Sequence, residues 1–164
     1  MISALARIEA GAIAALKAIL GLALIAMVIV NVANAAGRYG GLPTLTGADE
    51  LLVFTMIFIV MIGAVLAARE RSHLSIDLLP ERLAPRQRQL LKALTNIVAA
   101  VVCAVVANAS LGFVQRIGAL GQTSMGLGIP MVVPHLAITA GFIGMGAVSA
   151  ILAVVDLAAL RRAP

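Results

Sequence analysis

The chain has no tryptophan, one tyrosine, one cysteine and little charge: 12% of its 164 residues are charged, against 62% hydrophobic. The lone cysteine, Cys103, excludes an intramolecular disulfide and leaves no partners for a thiolate metal site. It lies inside an apolar run and reads as a small packing residue. The net charge of +5 suggests nucleic acid. Scarce aromatics, and basic residues confined to the ends of apolar runs, exclude that partner. The shortage of charge also excludes an ordinary soluble domain, because the apolar runs have no polar face for water to cover. Nucleophile-elbow, CxxC and HExxH patterns and a phosphate-binding glycine loop are all missing. No catalytic, cofactor or metal site is expected.

What is present is hydrophobic length. Four apolar segments run over residues 12–36, 51–68, 93–114 and 130–155. Each meets the roughly 20-residue requirement for crossing a hydrocarbon core of about 30 Å, the second only just. In lipid such segments must be helices, since no water can satisfy open backbone groups. The expected fold is therefore an all-α integral membrane protein, one domain of four transmembrane helices. A rival reading makes the first segment a secretory signal ending at Ala33-Asn34-Ala35. Its apolar run is long for a signal, and Asn31 and Asn34 interrupt its end.

Lysine and arginine alternate between rich and poor sides of these segments. Arg7 and Lys17 precede the first, and Arg38 follows it alone. Arg69, Arg71, Arg82, Arg86, Arg88 and Lys92 crowd between the second and third, Arg116 stands alone, and Arg161 and Arg162 close the chain. The positive-inside rule then places both termini and residues 69–92 in the cytoplasm. That inner loop alternates polar and apolar residues and carries leucines among its arginines. It reads as an amphipathic segment at headgroup level, anchored by Arg69, Arg71, Arg82, Arg86 and Arg88. A solvated linker is the plainer alternative. Pro80 and Pro85 break any single long surface helix.

The outer loops are short and rich in turn residues. Thr46 and Asp49 suggest a box-like cap for the second span, with Asp49 and Glu50 in its first turn. Pro130 suits the first turn of the fourth span. Small residues recur there at four-residue spacing: Ala137 with Gly141, Ala140 with Gly144, and Gly146 with Ala150. Such faces let helix backbones approach closely.

Few residues could carry chemistry. His73 and His135 fall on opposite sides of the membrane. Mid-span Thr55, Asn108, Ser110, Thr139 and Ser149 are better read as local hydrogen-bonding groups than as a reaction site. Lys17 and Asp156 lie near inner helix ends; they could pair with each other, or Asp156 could be held by Arg161 and Arg162. Arg38 could tie the first outer loop to Asp49 or to Glu50. No ionisable group sits where a solute pathway would need it, so the chain is expected to serve a partner subunit.

Ordered landmarks support that expectation: Gly37-Arg38-Tyr39, the acidic pair Asp49-Glu50, Gly63-Ala64, His73 with Asp77, and Leu127-Gly128-Ile129-Pro130. Together they resemble the small membrane subunit of TRAP (tripartite ATP-independent periplasmic) transporters across nearly the whole chain. The family's tryptophans in the first outer loop and near span four are missing here. The resemblance implies a non-catalytic scaffold, without cofactors, in the bacterial inner membrane. It would anchor a large, M-type membrane subunit that carries the substrate and sodium sites. A periplasmic substrate-binding protein would deliver an organic anion such as a carboxylate or sugar acid, for symport with sodium. A membrane anchor for a redox enzyme complex is the second expectation, and a self-sufficient small exporter the third.

Overall fold

A computed structural model describes residues 2–41, 43–70 and 84–162. They form four helices: α1 (Ile2–Gly40), α2 (Ala48–Arg69), α3 (Pro85–Leu120) and α4 (Val132–Arg162). All four are long and apolar enough to cross a membrane. His73, Asp77, Arg71 and Arg82 lie outside the described residues, as does most of the inner loop.

The helices overrun the apolar segments. At 1.5 Å per residue, the 39 residues of α1 measure about 58 Å, far more than a hydrocarbon core. α3 starts at Pro85, so Arg86, Arg88 and Lys92 belong to its first turns. The reason is local. Proline at the first helical position loses no hydrogen bond, and Gln87 Oε1 accepts the Ala84 N–H at 3.2 Å. Gly121, at φ 61°, ends α3 in the left-handed conformation. α4 begins at Val132, two residues after Pro130. Pro130 instead forms an isolated antiparallel bridge with Thr123, while the fully buried Pro134 occupies the first turn.

The order of neighbours is α1, α2, α4, α3. α4 packs most extensively on α3 and next on α2, and α2 carries α1 on its other side. The small residues of α4 explain its central place. A methyl group on Gly141 would lie 2.6 Å from Met61 Sδ, and one on Gly144 would lie 2.9 Å from Val65 Cγ2. Gly146 turns to the other neighbour, where a methyl group would meet Cys103 Cβ of α3 at 3.2 Å. The close approach that the glycine face permits is thus made, at Gly141 and Gly144, with this chain's own α2. Cys103 is a packing residue, as expected.

Polar groups within the bundle are satisfied locally. Ser110 and Thr139 hydroxyls meet at 2.7 Å between α3 and α4, and Thr139 also donates to the His135 carbonyl at 3.0 Å. His135 Nδ1–H donates to the Met131 carbonyl at 2.7 Å, and its ring lies 5.0 Å from that of Phe113.

Candidate functional site

Among the described residues, the ion pairs lie at the two ends of the α1–α2 hairpin. At the end where the two helices connect, Arg38 Nη2 donates to Asp49 Oδ2 at 3.0 Å. Asn34 is buried, and its Oδ1 accepts the Leu45 N–H at 3.1 Å, which folds the connecting loop back onto α1. Of the two partners open to Arg38, the structure selects Asp49.

Glu50 has a different task. Its Oε1 accepts the Gly126 N–H at 2.7 Å and its Oε2 the Leu127 N–H at 2.9 Å. One carboxylate therefore fastens the start of α2 to the α3–α4 loop. The approach is close: a methyl group on Gly126 would sit 3.0 Å from Gly47 Cα and 3.2 Å from Glu50 Cδ. The loop is itself cross-braced. Ser124 N–H donates to the Ile129 carbonyl at 2.9 Å, and Ser124 Oγ accepts the Ile129 N–H at 3.1 Å.

The expected cap from Thr46 and Asp49 does not form. Gly47 is the N-cap residue, at φ 79°, with no side-chain cap bond. The reason is that Asp49 and Glu50 are committed elsewhere, and that a side chain at Gly47 would strike Leu127 at 2.7 Å. Beside this junction lies an open depression of about 640 Å³, lined by Asp49, Glu50, Phe54 and Met125 among others. Tyr39 is 91% exposed and makes no part of the junction.

At the opposite end, Lys17 Nζ lies 2.5 Å from Glu70 Oε1, and Arg69 pairs with Glu9. Lys17 does not reach Asp156, because α1 packs on α2 and α4 lies beyond it. Asp156 is 2% exposed. Its Oδ2 accepts from Asn96 Nδ2 at 2.8 Å, and its Oδ1 from Gln89 Nε2 at 3.1 Å. Two neutral amides on α3 are thus among its partners, a pairing that sequence reasoning missed. Asn96 and Gln89 are seven residues apart, hence on one helix face, which is the signal that could have revealed it.

The two ends are related by length. Lys17 to Arg38 along α1 and Asp49 to Glu70 along α2 are both intervals of 21 residues. At 1.5 Å per residue, each interval is about 31 Å, the thickness of a hydrocarbon core. The ion pairs therefore stand one bilayer core apart, with Gly63 and the wholly uncharged run 51–68 between them. Arg86 and Arg88 lie exposed at the start of α3. Among the described residues, no three His, Cys, Asp or Glu side chains gather as a metal site would require.

Residues 11–161 match the family described as tripartite ATP-independent periplasmic transporters, DctQ component. The chain belongs to this family. It is also 29% identical, over 77 residues, to a Haemophilus influenzae protein named "Putative TRAP transporter small permease protein". That match covers 47% of this chain and 48% of the relative, so it spans about half the length of each. Family membership makes the chain a transporter component rather than a redox anchor, and its four apolar helices make it a multi-pass membrane protein.

Proposed function

We propose that this chain is the non-catalytic small permease subunit that holds the large transport subunit of a binding-protein-dependent importer in place. The importer takes up organic anions, carboxylates or sugar acids, on a sodium gradient. The large membrane subunit and a periplasmic substrate-binding protein are its partners. Both termini and residues 69–92 face the cytoplasm of a bacterial cell, the protein lying in the inner membrane. Arg69, Arg71, Arg82, Arg86 and Arg88 hold the inner loop at anionic headgroups.

The observation that carries this reading is the family match over residues 11–161. The distribution of polar groups agrees with it. The uncharged interval between the ion pairs offers no group to bind a solute or relay a proton. Cross-braced helix ends suit a part that stays still while another moves.

Purification of the tagged chain from its native membrane in mild detergent tests the proposal. A large polytopic subunit is expected to co-purify in equal amount, and vesicles containing only this chain are expected to take up no organic anion. Uptake by the chain alone would overturn the scaffold role.

A further inference from the structure

The Lys17–Glu70 pair borders an open crevice between α1 and α2. The crevice has a volume of about 270 Å³ and is lined by Lys17, Leu20, Gly63, Leu66, Ala67 and Glu70. Its residues are ordered by depth. Lys17 and Glu70 stand at one border of the hydrocarbon interval described above. Leu20, one turn along α1, and Leu66 and Gly63, one and two turns back along α2, lie inside that interval. A charged mouth at headgroup level thus opens onto an apolar slot running into the core. Space is open beside Gly63: a methyl group built there meets nothing within 4 Å.

We propose that this crevice is a binding site for one phospholipid with a zwitterionic, primary-ammonium headgroup, of the phosphatidylethanolamine type. The Lys17 ammonium has three N–H donors, and its contact with Glu70 occupies one. The others face the phosphate. The second carboxylate oxygen of Glu70 accepts from the headgroup ammonium, and one acyl chain lies along Leu20, Leu66 and the bare backbone of Gly63. Side chains of this pair remain 50% and 40% exposed, so the pair is open to a third party, and an exposed pair of this kind holds itself together only weakly. A choline headgroup has no N–H for Glu70, and a glycerol headgroup has no cation for it. The inference needs only that the chain resides in a membrane, so it stands or falls apart from the scaffold role.

The test is native mass spectrometry of the full chain, with whatever subunit co-purifies, after delipidation and addition of phosphatidylethanolamine, phosphatidylcholine or phosphatidylglycerol at equal concentration. One phosphatidylethanolamine is expected to be retained in preference to the other two. Gly63→Leu, which fills the slot, is expected to abolish retention. Lys17→Gln is expected to lower it about fivefold, the effect of one basic residue near a membrane surface. Gly112→Leu on α3, also a glycine with open space around it, is expected to leave it unchanged. If Gly63→Leu fails to fold, judged by helical circular dichroism, Lys17→Gln decides the matter. Equal retention of all three lipids overturns the headgroup assignment. So does undiminished retention in Lys17→Gln. Retention by folded Gly63→Leu, or capture of another polypeptide rather than lipid by a photo-crosslinker at Leu66, overturns the site.

Discussion

Arg38 and Asp49 meet at 3.0 Å across the turn between α1 and α2, while the adjacent Glu50 faces away and grips the α3–α4 loop. Two neighbouring carboxylates thus serve two different junctions. The first ties α1 to α2; the second ties α2 to the loop between α3 and α4. Distinct outcomes follow for each residue.

Glu50→Ala removes both acceptors from Gly126 and Leu127. Hydrogen exchange at those two amides is expected to quicken about tenfold or more, since local opening then costs less. Asp49→Ala is expected to leave the same amides unchanged. Equal effects from the two substitutions would mean that the acidic pair acts as one unit.

The Arg38–Asp49 pair is largely exposed, with side chains 61% and 73% accessible, so its contribution is small. A double-mutant cycle over Arg38→Ala and Asp49→Ala is expected to return a coupling of about 0.2–1 kcal/mol, falling as salt rises. The corresponding cycle with Glu50→Ala is expected to return none. Thermal unfolding in detergent at two salt concentrations measures both.

Gly141→Ala forces a methyl group to within 2.6 Å of Met61 Sδ. Overpacking of this kind costs about 1–3 kcal/mol. Met61→Ala in the same chain is expected to recover part of the loss. Gly21→Ala, with open space on α1, is expected to have no such cost. The unfolding midpoint of the three variants checks the pattern.

Asp156→Ala removes the carboxylate from the part-buried amides of Gln89 and Asn96, leaving Gln89 the Asp156 backbone carbonyl. The expected loss is about 1–3 kcal/mol, the usual cost of an orphaned buried polar group. Asp156→Asn keeps an acceptor oxygen and is expected to lose less. A loss in Asp156→Asn as large as in Asp156→Ala would show that an acceptor oxygen alone is not enough.

The helices were legible because hydrophobic length is a property of the sequence alone; the order of neighbours was not. Lys17 and Asp156 both lie near inner helix ends, and nothing in their spacing reveals that α2 separates α1 from α4. Knowing that order redirects Lys17 to Glu70 and explains why Asp156 meets amides of α3 rather than Lys17. The α2 cap was misread for a similar reason. Thr46 and Asp49 satisfy the local pattern, yet the α3–α4 loop, 76 residues distant from Glu50, decides what the acidic side chains do. That mid-span Ser110 and Thr139 form local hydrogen bonds was the easier inference, because a hydroxyl has few alternatives in lipid, but their pairing with each other was not legible. Gly141 and Gly144 announced close packing correctly but not the partner, since a glycine face is equally suited to its own chain or to another.

The matched 21-residue intervals of α1 and α2 make the hairpin a gauge of membrane thickness. In a bilayer a few Å thinner, the pair would have to tilt; in a thicker one, charge would be drawn toward oil or the lipid would have to pinch inward. A protein calibrated in this way should keep its footing best in the membrane whose depth its ion pairs already measure.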